Sequence, residues 1–198
     1  MTPKIYLVRH GETAWTISGQ HTGRTDIPLT EQGERDARSL SARLGGVTFA
    51  RVLTSPLLRA RRTGELAGFG SSLEPDPDLQ EWDYGAYEGR RTTDILTERP
   101  GWRLFEHGCP EGETLDTVGA RADHVIARAR ASAGDVLLFA HRDIVRVLAA
   151  RWLGLSAHAG RHFYLATASL SILGYHHDLD EPVIHLWNAW GAGHRVSP

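Results

Sequence analysis

The chain has 198 residues, 22 Lys plus Arg against 24 Asp plus Glu, a formal net charge of −2 and 41% hydrophobic residues. That length suits one domain with a sizeable core, and the composition excludes a disordered or fibrous chain. The near-neutral balance argues against nucleic acid as a partner, and no run reaches the roughly 18 apolar residues of a bilayer span, which argues against a membrane.

The opening apolar run, Ile5 to Val8, is too short for a signal peptide. One cysteine, Cys109, leaves no internal disulfide and no cysteine-based zinc site, so a cytoplasmic protein is expected. Among the basic residues only Lys4 is lysine. Base composition accounts for most of that bias, yet the planar guanidinium fork also matches phosphate oxygens.

In chain order, Ile5 to Val8 predicts a strand buried on both faces. A loop from Gly11 to Leu29 leads to Thr30 as a helix N-cap, with Ala37, Leu40 and Leu44 on one face before the Gly45-Gly46 stop. Ala50 to Thr54 predicts a second strand; Ser55 as N-cap and Pro56 at the first helical position predict a helix running to Gly68. Pro75 to Gly112, rich in Pro, Gly and aromatics, reads as an irregular excursion with one short helix, Thr92 to Arg99, ended by Pro100. Leu115, Val118, Ala122, Val125, Ile126 and Ala129 recur at three- and four-residue spacing and predict a helix from Thr114 to Ala133. Val136 to Ala140 predicts a strand, Asp143 to Leu153 a helix stopped by Gly154, and Ser169 to Leu173 and Val183 to Trp187 two strands around a Pro-containing turn. Strands alternating with periodic helices predict an α/β fold: a three-layer α/β/α sandwich around a mostly parallel sheet, as a single domain over residues 1–198.

Two predicted strands finish in histidine, at His10 and at His141. Ligands of open α/β sheets sit beyond the carboxyl ends of the strands, so both imidazoles are expected in one crevice. Arg59 falls in the first turn of its helix, where free amides and the dipole favour an anion. Arg9, Arg59 and two histidines around one crevice suit a phosphate group.

Leu7-Val8-Arg9-His10-Gly11-Glu12-Thr13 resembles the signature of the histidine phosphatase superfamily, the phosphoglycerate-mutase-like proteins. Ser55-Pro56-Leu57 with Arg59-Ala60 and Thr63, Gln80 to Gly85 with Tyr87-Glu88-Gly89, and His141 after its strand are similar to the family in the same order. Ser18 to Asp26, Gly108 to Thr114 and Tyr175 to Pro182 resemble the branch with sedoheptulose-bisphosphatase-like and acid-phosphatase-like members. The resemblance implies a phosphoric monoester hydrolase of small phosphorylated metabolites, acting through phosphohistidine with no cofactor and no metal. Inorganic phosphate is then product or inhibitor, and a homo-oligomer is left open.

On that resemblance His10 is the expected nucleophile, Arg9, Arg59 and His141 the clamp on the phosphoryl oxygens, and Glu81 the proton donor. Gln20, His21, Thr22, Gly23, Tyr84, Arg142 and the loop Glu111 to Thr114 are expected substrate walls. A backbone carbonyl in the Gly11 turn is expected to orient the nucleophilic ring. The chain departs from the family where many mutases have Asn at the position of Thr16, and where Gly commonly follows the second histidine but Arg142 stands here. Arg142 is expected to contact a second anionic group on the substrate, with pairing to Asp143 as the alternative. A mutase and a non-catalytic phospholigand-binding regulator are the competing functions. His176 and His177 read as a surface turn, and Trp187 and Trp190 as core packing.

Overall fold

The computed structural model describes residues 2–190. Among them, β1 (Ile5–Arg9) leads to α1 (Ala14–Ser18) and α2 (Glu31–Leu44), and β2 (Arg51–Thr54) leads to α3 (Leu58–Gly64). β3 (Leu73–Pro75) precedes an excursion holding α4 (Thr92–Glu98) and α5 (Leu104–His107). The order closes with α6 (Leu115–Arg130), β4 (Val136–Ala140), α7 (Arg142–Trp152), β5 (Leu170–Tyr175) and β6 (Pro182–Ala189). Residue 1 and residues 191–198, the ends of the span expected as one domain, lie outside the described residues.

The strands form one sheet in the order β3-β2-β4-β1-β5-β6. Pairing is parallel from β3 through β1, and β5 runs antiparallel to both β1 and β6. Side chains alternate between the faces, which is how one apolar run serves two cores. Ile5, Leu7, Val136, Leu138 and Ala140 join α6 and α7 in one buried cluster, while Tyr6, Val8, Leu137 and Phe139 join Leu40 and Leu44 of α2 in the other. The expected three-layer α/β/α arrangement is therefore present, with the α6 stripe Val118, Ala122, Val125, Ile126 and Ala129 buried on its sheet face.

Several elements differ from expectation. Within the expected loop, α1 forms because Thr13 and Thr16 close a reciprocal capping box, although it buries no residue and so shows no periodic signal. Ser55 is not the N-cap of α3; that position is Leu57, without a side-chain cap. The α-helix also stops at Gly64 and continues as a wider turn to Phe69, with Gly68 at φ 97°. β3, three residues on the sheet edge, and the one-turn α5 are too short to register in an apolar pattern. Trp190 is 63% exposed instead of packing in the core, whereas Trp187 is half-buried, stacks on Phe163 and donates to the Tyr164 carbonyl. Among the described residues no helix is long and apolar enough to cross a membrane.

Candidate active site

Strand order assembles the site. β2, β4 and β1 are parallel neighbours, with Thr54 opposite Phe139 and Arg9 opposite Ala140, so the residues that follow, Ser55, His141 and His10, emerge side by side. The His10 amide donates to the Ala140 carbonyl at 3.0 Å and the Ser55 amide to the Phe139 carbonyl at 2.9 Å, which extends the ladder through the first turn residues. The two imidazole rings sit 5.2 Å apart.

His10 is buried, and its Nδ1 lies 2.7 Å from the Gly11 carbonyl oxygen. A carbonyl only accepts, so the proton resides on Nδ1 and Nε2 keeps its lone pair. Burial, reinforced by the Arg59 and Arg9 guanidiniums, holds the imidazole well below its usual 6.5, in the neutral form. Gly11 is required by space: a Cβ there would lie 2.5 Å from the Gly33 carbonyl oxygen at the start of α2. Thr63 of α3 accepts from the Gly11 amide at 3.0 Å and fixes the turn from the other side.

His141 is fully buried as the N-cap residue of α7, with Nε2 2.7 Å from Ser55 Oγ; its Nδ1 has no partner among the described residues. Burial, with Arg59 and the neighbouring His10, holds this ring too well below 6.5. Arg59 is fully buried as well. Its Nη1 donates to the Thr25 carbonyl and its Nη2 to those of Thr22 and Gly23, leaving Nε unpartnered among the described residues. Arg9 donates through Nη1 to the Leu165 carbonyl, again with Nε unpartnered, and burial lowers its pKa to about 10.

Glu81 arrives from the excursion. Its carboxylate accepts the Asp143 and Ile144 amides of α7 at 3.1 Å and its own neighbour's, Trp82, at 3.0 Å. Burial, with the adjacent Asp143, nevertheless raises its pKa above the usual carboxyl value. The loop carrying it is braced from behind by Arg121, which donates to the carbonyls of Asp78 and Gln80 and pairs with Glu113 at 2.7 Å.

A cavity of about 90 Å³ opens beside these groups. Arg9, His10, Gln20, His21, Thr22, Glu81, Tyr84 and Arg142 line it, so most expected site residues converge, joined by Trp15, Thr16, Gly19 and Thr92, to which the sequence reading gave no site role. Arg59 and His141 lie behind the lining, not in it. Gly23 is not a wall either: its amide is held by Glu88 at 2.9 Å and its carbonyl by Arg59, because it anchors the loop in front of Arg59. The Glu111 to Thr114 loop likewise stands outside the cavity, where Glu113 holds the Asp83 amide at 3.0 Å. Gln20 reaches the lining with its amide already donated to the Gly89 carbonyl at 2.7 Å.

Arg142 takes the alternative orientation. Its Nε and Nη2 form a fork on Asp143 at 3.1 and 3.0 Å, although the side chain still lines the cavity. Asp143, expected only as the alternative partner of Arg142, is fully buried and also accepts from Tyr84 Oη at 2.6 Å and from Arg146 at 2.6 Å. Burial alone would raise its pKa; Arg142 and Arg146 hold it well below the usual carboxylate range. Ser55, expected as a helix cap, and Asp143, expected only as a partner for Arg142, are thus positioning side chains whose further contacts the sequence did not show. His177 is 70% exposed and paired with Glu181, and no cluster of three or more metal-ligating side chains occurs among the described residues.

A model of the histidine phosphatase superfamily (branch 1) matches residues 5–189. The chain is 39% identical over 178 residues to an acid phosphatase of Mycobacterium tuberculosis, covering 88% of this chain and 87% of that protein. It is 33% identical to the sedoheptulose 1,7-bisphosphatase of Saccharomyces cerevisiae, covering all of this chain and 95% of that protein. A solved structure of a functionally characterised open reading frame from Mycobacterium tuberculosis superposes with a TM-score of 0.88 at 35% identity, over 97% of this chain and all of the other.

Proposed function

The chain belongs to the histidine phosphatase superfamily, and from that membership we propose that it is a phosphoric monoester hydrolase of small phosphorylated metabolites, sugar phosphates or bisphosphates, working through a phosphohistidine at His10. One observation carries the reading: a buried, neutral imidazole with its proton tied to Gly11 stands in one small cavity with Arg9 and a carboxyl of raised pKa, Glu81. The printed activities of the two curated relatives support the same class.

The chemistry follows from the donors. His10 Nε2 donates its lone pair to phosphorus as the ester P–O bond breaks, and the leaving alkoxide takes the Glu81 proton. Positive charge developing on the ring is relieved through Nδ1, already bonded to the Gly11 carbonyl. Water then attacks the phosphohistidine, gives a proton to the Glu81 carboxylate, and releases inorganic phosphate with neutral His10 restored. Splitting the displacement in two lowers each barrier, and positioned acid–base help is worth roughly 10² to 10⁴ in rate.

The phosphoryl oxygens are held by two guanidiniums and the N–H of a neutral imidazole. Arg9 faces the cavity, and the unpartnered nitrogens Arg9 Nε, Arg59 Nε and His141 Nδ1 are the donors left for an oxyanion. Arg59 contributes mainly from behind, by fixing the Thr22 to Thr25 loop and by keeping His10 neutral. Electrostatic stabilisation of this kind is commonly the largest single contribution to such a reaction. No metal enters this scheme, and action in the cytoplasm on a free small-molecule ester belongs to the same reading.

Phosphate release measured across a panel of sugar, sugar-bisphosphate, acyl and aryl phosphates tests the proposal. Hydrolysis of several sugar phosphates, abolished by His10→Ala, supports it. Transfer of the phosphoryl group to a second sugar hydroxyl in place of water favours a mutase, and tight binding without release favours a silent phospholigand-binding protein.

A further inference from the structure

A second cavity of about 530 Å³ adjoins the first, and the two share His21, Thr92 and Arg142 as a common wall. Its floor is apolar, with Trp102 and Phe105. Its charge is one-sided: Arg103, Arg142, Arg146 and Arg161 line it against a single carboxylate, Glu106. Behind the wall Asp143 compensates Arg142 and Arg146 together, and Glu106 pairs with Arg161 at 3.0 Å. Four guanidiniums against two carboxylates leave the equivalent of two positive charges facing the opening.

Three of those arginines retain donors unbonded among the described residues: Arg103, Arg142 and, at Nη2 alone, Arg161, whose Nε and Nη1 are engaged by His162, His158 and Glu106. The Arg103 side chain is exposed and has no hydrogen bond or ion pair to the described residues, and Arg142 keeps Nη1 unbonded because Asp143 engages only Nε and Nη2. The Asp143 fork fixes the Arg142 plane between the two cavities, so this free edge is held at low entropic cost. Arg146 is a support: it bonds the carbonyls of Gly160 and Arg161 and lies 4.7 Å from the Phe105 ring. Binding energy from a remote part of a substrate can be used at the reacting centre only when both ends are held at once, and the shared wall provides that connection.

We infer that the larger cavity is the subsite for the non-reacting end of the substrate, and that it selects an anionic group there, a second phosphate or a carboxylate, through Arg103 and the free edge of Arg142. The inference rests on the phosphatase reading of the smaller cavity. It makes Glu106 an antideterminant, since its carboxylate opposes an arriving anion.

The test uses three alkyl monophosphate esters of equal length, ending in a hydroxyl, a carboxylate or a second phosphate. The readout is each anionic ester's kcat/KM relative to the hydroxyl-ended one, a ratio that a loss of folded enzyme does not move. The wild type should favour at least one anionic ester about tenfold, as one charge-assisted contact supplies, and the better anion identifies the group. Arg103→Ala should lower the ratio several-fold, and Glu106→Gln should raise it. A wild-type ratio near one, or a ratio unmoved by both substitutions, overturns the subsite while leaving the phosphatase reading intact. Failure to release phosphate from all three esters and from an aryl phosphate would instead overturn the underlying reading.

Discussion

Ser55 and His141 are 86 residues apart in the chain and meet at 2.7 Å between Oγ and Nε2, because β2 and β4 are adjacent parallel strands ending at the same level. With the hydroxyl donating, the His141 proton resides on Nδ1, the nitrogen without a partner among the described residues. Ser55→Ala should therefore lower kcat about fivefold, for one hydrogen bond worth ~1 kcal/mol, while Ser55→Thr keeps most of the rate. An unchanged kcat in Ser55→Ala would remove this contact from the account.

Glu81 must begin protonated to serve the leaving group, and its raised pKa moves it in that direction. For alkyl phosphates kcat/KM should decline as pH rises through that raised value, and Glu81→Gln should erase this limb. The same substitution should slow alkyl phosphates about 10² to 10⁴-fold and aryl phosphates much less, since phenolates leave without a proton. Equal losses on both substrate types would take the donor role from Glu81.

Stability should depend on pH through the buried imidazoles. His10 and His141 lie well below 6.5, and burial, with Arg142, puts His21 at about 4. Each depressed histidine binds a proton in the unfolded chain before the folded one. Stability is thus complete above about 6.5 and falls with pH below that, by up to about 1.4 kcal/mol per pH unit per ring. Glu81, whose folded pKa is raised, opposes this with up to one proton between its unfolded and folded values. Urea midpoints at pH 7.5, 6.0 and 5.0 should drop in that order; a flat profile would mean that the rings charge freely in the folded protein.

Chelators should leave turnover unchanged, because the guanidiniums and an imidazole N–H meet the phosphoryl charge that divalent cations neutralise in many phosphoryl-transfer enzymes. Inorganic phosphate should compete with substrate. Activity lost in EDTA and restored by a divalent ion would contradict this.

What the sequence disclosed and what it hid divide along physical lines. Continuous apolar runs ending in His10 and His141 are local signals, and parallel pairing of buried strands makes their ends converge. Ser55 was misread because its hydroxyl, a common cap, is drawn across the sheet by His141 instead. Arg59 was expected among the clamp on the phosphoryl oxygens, yet the backbone carbonyls of Thr22, Gly23 and Thr25, which a motif of side chains does not mark, occupy both terminal nitrogens. The alternative pairing of Arg142 with Asp143 was legible from adjacency, but the convergence of Tyr84 and Arg146 on the same buried carboxylate requires the excursion to be folded over α7.

The central claim, covalent catalysis at His10, is tested most directly by rapid acid-free quench of the enzyme with an aryl phosphate, followed by intact-mass and peptide analysis. The account predicts one phosphoryl group per chain on His10, stable in base and lost in acid, formed before steady-state phosphate release and absent in His10→Ala. Full turnover with no phosphoenzyme at any time, or near-normal phosphate release by His10→Ala, would contradict it.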